Sequence, residues 1–277
     1  MTARTIVQRL PAQPAMEGAG VRVLRTIGTP ALRHLDPFLL LDHFGSDDPQ
    51  DYWAGFPEHP HRGFVTFTHM LDGRMLHRDS LGNAGEVRAG GAQWMKAASG
   101  VIHAEMPQGE GLLRGFQLWI NLPAAEKMSE PAYQEFPPEA IPAMEGEGST
   151  VRLFMGQYQG HTGPIVDDFT AVSYLDVVLQ RGRFTHRLPA THTAFVYGYE
   201  GQLRLAGSLL PPHTLAVLSP GEEVQVEAEA ARFILVAGRP IGEPVVQYGP
   251  FVMTSRGEIE QALRDFRAGT LVRGGTP

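Results

Sequence analysis

Short apolar or alternating segments, bounded by Gly, Pro, Asp or Asn, recur along most of the chain, and helical periodicity is nearly absent before the C-terminal region. Because successive side chains of a strand point to opposite faces, segments of this length and spacing predict an all-β sandwich or barrel. The clearest segments cover residues 64–70, 93–96, 115–122, 151–155, 173–179, 194–199, 215–218 and 232–237.

The strand pattern stops between Pro123 and Gly148, where Pro, Glu and Ala dominate. A shift of this kind is typical of a domain boundary. We therefore predict an N-terminal domain over residues 1–130, a partly ordered linker over 131–148 and a second β-domain over 149–277.

One helix is predicted near the C-terminus. Ser255 and Glu258 form a capping box, and Gly269 follows as a stop signal. The apolar positions Ile259, Ala262, Leu263 and Phe266 lie on one face of this helix. The pattern indicates a packing role, as a strap across the first domain.

Composition excludes several classes of function. The chain has 277 residues, a net charge of −7 and no Lys/Arg block, so direct binding to nucleic acid or to an anionic membrane is disfavoured. It contains no cysteine, which excludes disulfides, thiolate nucleophiles and Cys-based zinc sites. Residues 1–23 lack the apolar core of a signal peptide, and no apolar run approaches the roughly 20 residues of a membrane span, so we predict a cytoplasmic protein.

Two short pairs carry the candidate chemistry. His59 and His61 flank Pro60, and 44 positions after His59 the chain offers His103 and Glu105. Residues i and i+2 of a strand share a face, so each pair can direct two ligands into one interior. Three imidazoles and a carboxylate suit iron, manganese, copper or nickel better than zinc alone.

Other residues near these pairs have simpler interpretations. If the strand that begins at His59 continues without a bulge, Val65, Phe67 and His69 share the ligand face, with His69 in the core. Arg62 then points away from the interior, towards a surface or strand-edge ion pair. His77 and Asp79 are interpreted as a hydrogen-bonded pair. The second half has the unpaired histidines His186, His192 and His213, which predict a metal-free C-terminal domain.

The chain resembles the pirin family of the cupin superfamily in several motifs that span about residues 20 to 270. The motifs are FLLLDHF (38–44), GFPEHPHRGF (55–64), QWM (93–95), GVIHAEMP (100–107), QLWINLP (117–123) and GRPIGEPVVQYGPFVM (238–253). The resemblance implies two cupin domains, that is, jelly-roll β-sandwiches, with one metal in the N-terminal domain held by His59, His61, His103 and Glu105. The implied metal is Fe(II), with Cu, Mn, Ni and Co as alternatives.

The resemblance also implies an activity. Some pirins are quercetin 2,3-dioxygenases, which open a flavonol ring with O₂ and release carbon monoxide; others are transcriptional co-regulators or redox sensors. We therefore expect a dioxygenase in which Glu105 takes the proton of the flavonol hydroxyl. The alternative is an iron-binding, redox-sensing regulator that acts through protein partners. Val65 stands where members of the family usually have a glutamate, which leaves Glu105 as the one well-placed carboxylate.

Overall fold

The computed structural model describes residues 2–273, and nearly all of their regular structure is antiparallel β-sheet. The strands are β1 (Ile6–Pro11), β2 (Gln13–Glu17), β3 (Val21–Arg25), β4 (Phe38–Ser46), β5 (Phe56–His61), β6 (Phe64–Asp72), β7 (Arg74–Asp79), β8 (Ala84–Arg88), β9 (Ala92–Lys96), β10 (Val101–Gln108), β11 (Leu113–Asn121), β12 (Ala132–Phe136), β13 (Ala143–Gly146), β14 (Ser149–Met155), β15 (Gln157–Tyr158), β16 (His161–Thr162), β17 (Ser173–Leu179), β18 (Gly182–Arg187), β19 (Thr193–Glu200), β20 (Leu203–Leu205), β21 (Ser208–Leu210), β22 (Thr214–Leu218), β23 (Glu223–Ala228), β24 (Ala231–Gly238), β25 (Val246–Tyr248) and β26 (Phe251–Met253). The helix α1 (Arg256–Arg267) follows, and short 3₁₀ turns occur at Pro49–Asp51 and Pro138–Ala140.

The chain forms two compact units whose segments alternate along the sequence. The N-terminal unit comprises Pro14–Ile27, Phe38–Glu139 and the chain from Ile241 onward. The C-terminal unit comprises the residues up to Gln13, Gly28–Pro37 and Ala140–Pro240. Contiguous domains over 1–130 and 149–277 were predicted, whereas in the structure β1 pairs with β22 and α1 packs on β25 and β26 of the N-terminal unit. The predicted linker contains two strands, β12 and β13.

Each unit is a two-sheet sandwich, which confirms the predicted all-β class. In the N-terminal unit a seven-stranded sheet has the order β12-β9-β6-β11-β4-β3-β2, and a four-stranded sheet has the order β5-β10-β7-β8. In the C-terminal unit the orders are β1-β22-β19-β24-β17-β14-β13 and β18-β23-β20-β21. Aliphatic and aromatic residues from both sheets of the C-terminal unit form one buried cluster, with Leu175, Val196 and Phe233 among its members. That interior is packed with apolar side chains. The N-terminal unit has a cavity.

The sequence predicts that alternate side chains from His59 through His69 share one face, and this prediction is wrong beyond residue 63. The chain leaves β5 and enters β6, which belongs to the other sheet, and Gly63 lies between them with φ of +91°. This break shifts the alternation by one residue, so that Thr68 faces the cavity, whereas Val65 and Phe67 are buried on the opposite face of β6.

Helix α1 begins where the sequence predicts. The Ser255 hydroxyl accepts a hydrogen bond from the backbone N–H of Glu258, and the Glu258 carboxylate accepts one from the backbone N–H of Ser255. Ile259 and Ala262 are buried against the unit, whereas Phe266 is 41% exposed. The helix is amphipathic and short, and no helix within residues 2–273 is long and apolar enough to cross a membrane.

Two buried cations hold the C-terminal segment beside β5. The Arg62 side chain donates to Ser99 O (2.6 Å) and Leu271 O (3.2 Å) and pairs with Asp265 (2.7 Å). The sequence predicts a surface or strand-edge ion pair of Arg62; the ion pair is present, but Arg62 is buried, with 1% exposure, and does not lie at the surface. Lys127 Nζ donates to Gly63 O (2.8 Å), Asn121 Oδ1 (2.6 Å) and Val252 O (3.1 Å).

In the wild type we expect the free energy of unfolding to rise with pH in the alkaline range, and Lys127→Met is expected to abolish this rise. Burial lowers the pKa of Lys127 from 10.5 to about 8, so between these values the unfolded chain binds a proton that the folded chain does not. The free energy of unfolding therefore increases with pH over this interval, by at most about 1.4 kcal/mol per pH unit. Urea titrations of both proteins near pH 8 and near pH 9.5 measure the effect. A difference between wild type and variant that does not change with pH would contradict the prediction.

Candidate metal centre

Three imidazoles converge where β5 and β10 pair. His103 lies directly opposite His59 in the antiparallel register, and His61 follows on the same face of β5. The ring centroids are 4.4 Å apart for His59 and His103, 4.7 Å for His59 and His61, and 4.9 Å for His61 and His103. One ring nitrogen of each histidine lies within 4.8 Å of the others, which is a spacing that one metal ion can bridge.

The protonation of these rings suits metal binding. His59 Nδ1 lies 2.8 Å from Pro57 O and so donates its hydrogen there, which leaves Nε2 as the ligand atom. Burial, and then the neighbouring imidazoles, hold the pKa values of His61 and His103 well below the usual range. Both rings are therefore neutral near pH 7, which is the form that coordinates metals.

A chain of hydrogen bonds fixes the tautomer of His103. His77 Nε2 lies 3.2 Å from Asp79 Oδ2, and in the neutral tautomer that donates from Nε2 to this carboxylate, Nδ1 is a hydrogen-bond acceptor. That atom lies 3.4 Å from His103 Nδ1, which consequently carries the hydrogen. The buried Nε2 of His103 then has a free lone pair, and no described residue supplies it with a hydrogen-bond partner. An unpartnered buried nitrogen beside two other imidazoles fits a metal ion.

The contact of His77 with His103 is the feature of this site that the sequence did not predict. The predicted His77–Asp79 hydrogen bond is present, but the contact of His77 with His103 depends on the pairing of β7 with β10, which local spacing does not reveal. The His77 ring also stacks on Tyr133, with centroids 4.3 Å apart and planes at 13°. Asp79 accepts further hydrogen bonds from Asn83 and from the backbone N–H of Leu81. Burial alone would raise the pKa of Asp79, but these hydrogen bonds and the one from His77 outweigh it and lower the pKa.

His77→Phe is expected to weaken metal binding by about 10- to 100-fold, because the tautomer and orientation of His103 are no longer fixed. Phenylalanine keeps the stacking on Tyr133 but cannot accept the Nδ1 hydrogen of His103. Competition with a chromophoric chelator measures the dissociation constant. Tyr133→Phe is the matched control, since it keeps the stacked ring, and an equal loss in both variants would contradict the role of His77.

Glu105 lies in the same wall but in a different cluster. It is 2% exposed. Its Oε1 accepts a hydrogen bond from Gln93 Nε2, and its Oε2 accepts one from Gln117 Nε2 at 3.3 Å. Its carboxylate groups with His77 and His103, whereas the three predicted imidazole ligands form the other group. A register irregularity between His103 and Glu105 separates the two members of the pair. The fourth ligand therefore stays a prediction.

A cavity of about 570 Å³ opens onto His59 and His61, whose rings contact the buried ring of His103. This volume is in the range of small-molecule sites. Its walls belong to the N-terminal unit and combine the apolar side chains of Val23, Leu40, Phe44, Phe56, Met75 and Trp119 with the polar side chains of Glu17, Arg25, Asp42, His59, His61, Thr68, Glu105 and Gln117. The site thus offers metal ligands at one end of a largely apolar chamber.

Two antiparallel β-sandwich units, one of which has a histidine cluster facing its cavity, define a two-domain protein of the cupin class. The family model described as Pirin matches residues 20–120, and the model described as Pirin C-terminal cupin domain matches residues 174–272. The chain belongs to the pirin family, as its motifs predict.

Similar proteins extend over the whole chain. A pirin-like protein of Caulobacter vibrioides is 46% identical over 274 residues, which cover 97% of this chain and 99% of that protein. A quercetin 2,3-dioxygenase of Acinetobacter baumannii has a solved structure that superposes with a TM-score of 0.91, 32% identity and 99% coverage of both chains. A bacterial pirin of Escherichia coli, solved in complex with nickel(II), shares the fold with a TM-score of 0.68 and 18% identity, covering 84% of this chain and 98% of that one.

Proposed function

We propose that this protein is a metal-dependent dioxygenase that opens the ring of quercetin-like flavonols with O₂. The observation that carries the proposal is the convergence of three imidazoles, two of which line a largely apolar cavity of ligand size. The similarity to the quercetin 2,3-dioxygenase of Acinetobacter baumannii supports the same substrate class.

In this proposal His59, His61 and His103 hold the metal, and Glu105 completes the set. Three imidazoles and a carboxylate fit Fe(II), and the nickel complex of the Escherichia coli pirin supports a divalent transition metal. When bound, such a metal supplies Lewis acidity towards the flavonol 3-hydroxylate and a route for electrons to O₂.

Side chains of the cavity supply proton transfer, positioning and exclusion of water. Glu105 leaves its ligand role briefly and accepts the proton of the flavonol 3-hydroxyl, which a carboxylate beside the substrate is suited to do. Gln93 and Gln117 each donate to one of its two oxygens, so its position is fixed before the substrate binds. Trp119 and Phe56 line the chamber and exclude water from the reacting ring.

Quercetin-dependent O₂ uptake by Fe(II)-loaded protein tests the proposal. We expect turnover by the wild type and its loss in His59→Ala, while His161→Ala, at an exposed position in β16, keeps the wild-type rate. Carbon monoxide should form in equal amount to the O₂ consumed. Bound metal without any flavonol turnover would overturn the enzyme and favour the regulatory alternative.

A further inference from the structure

A group of three charged side chains lies in the wall of the cavity. Arg25 Nε and Nη2 contact the two oxygens of Asp42 at 2.7 and 2.6 Å, and Nη2 also contacts Glu17 Oε1 at 2.7 Å. All three residues line the same cavity as His59 and His61. Charged side chains in a largely apolar cavity carry a desolvation cost, so we ask what ligand group this ion-pair network could recognise.

The group has one surplus negative charge, and that charge is on Glu17. Both oxygens of Asp42 are occupied by Arg25, and the Asp42 side chain is 6% exposed. Glu17 gives one oxygen to Arg25, and its side chain is 40% exposed. Its second oxygen is consequently an acceptor available to a ligand, and the net charge favours a hydrogen-bond donor over an anion.

The strand register relates this group to the metal end. Arg25 pairs with Asp42 across β3 and β4, Asp42 with Gln117 across β4 and β11, and Gln117 donates to Glu105. Two strand spacings therefore separate Gln117 from Arg25, which is about 10 Å. Leu40 and Trp119, which form the neighbouring cross-strand pair on the same face, provide an apolar surface beside this row.

A ligand that matches this wall is flat and aromatic, with an oxygen at the histidines and a hydroxyl donor at the remote end. Resting on the proposed function, we propose that Glu17, held in place by Arg25, accepts a hydrogen bond from a hydroxyl of the flavonol's 2-phenyl ring, which is directed away from the histidines. The cavity thereby selects flavonols hydroxylated on that ring over flavonols that lack those hydroxyls.

The assignment is tested by anaerobic binding of two flavonols to the metal-loaded protein. One is quercetin, and the other is galangin, which lacks the hydroxyls of the 2-phenyl ring. We expect the wild type to bind quercetin about tenfold more tightly than galangin, the magnitude of one hydrogen bond to a charged acceptor. Glu17→Gln should reduce the ratio to about twofold or less without changing galangin affinity, since a neutral amide is the weaker acceptor. Glu260→Gln, on the exposed face of α1, should keep the wild-type ratio.

The outcomes separate this inference from the proposed function. Equal affinities for the two flavonols in the wild type, or an unchanged ratio in Glu17→Gln, would overturn the role of Glu17 and leave the flavonol enzyme standing. Binding of neither flavonol would overturn both. Tighter binding of a flavonol sulfate than of quercetin would instead assign the end of the chamber to anion recognition by Arg25.

Discussion

His103→Ala is expected to abolish stoichiometric metal binding, with a rise of the dissociation constant by more than about 100-fold. His103 is the member shared by both groups of potential ligands, its ring is neutral, and its buried Nε2 has no hydrogen-bond partner among the described residues. Metal analysis after gel filtration gives the stoichiometry, and chelator competition gives the affinity.

The substitution also removes a buried ring, so a second variant separates metal binding from folding. His103→Gln retains most of the side-chain volume and one polar group, and it should preserve the unfolding midpoint of the metal-free protein more closely than alanine. His161→Ala, at an exposed position, should bind one metal as the wild type does. Unaltered affinity in both His103 variants would contradict the assignment of this residue as a ligand.

Gly63→Ala is expected to lower the free energy of unfolding by more than about 3 kcal/mol. Gly63 has φ of +91°, and a Cβ there would lie 2.0 Å from Val252 O, in the segment that packs against β5. Its own N–H donates to Ala98 O at 2.8 Å and its carbonyl accepts from Lys127, so the backbone cannot move aside without losing these bonds. Because Gly63 is two residues from His61, metal affinity should fall as well.

Gly82→Ala is the matched control for backbone strain. Gly82 has a similar φ of +88°, but nothing lies within 4 Å of its Cβ position. In this variant the free energy of unfolding should fall only by the cost of placing alanine in the left-handed region, which is about 1–2 kcal/mol. Urea unfolding of the two variants measures the difference, and equal losses would show that the contact with Val252 contributes nothing.

Features governed by local geometry were predictable from the sequence. The capping box of α1 involves residues three apart, and the convergence of His59 with His61 needs only the alternation of a strand. The pirin motifs predict a cupin fold, which the two-sheet sandwiches confirm. In each case the determining contact lies within a few residues of chain or within a motif of the family.

Features that depend on distant pairing were not predictable. The pairing of β1 with β22 joins residues more than 200 positions apart, and nothing in either strand specifies its partner. The parity error at Gly63 arose because the chain changes sheets there, which exchanged Val65 and Phe67 for Thr68 on the cavity face. The Pro-, Glu- and Ala-rich composition of residues 131–148 indicated a linker, yet β12 and β13 are edge strands, where proline and charged residues are common.

The most direct test of the metal centre is an anomalous difference map of crystals reconstituted with Fe(II). We predict a single strong peak bonded to one ring nitrogen each of His59, His61 and His103 at about 2.0–2.3 Å, with Glu105 as the fourth protein ligand. A peak among His77, His103 and Glu105 would show that the other cluster is the metal site. The absence of a peak at the histidines would contradict the account altogether.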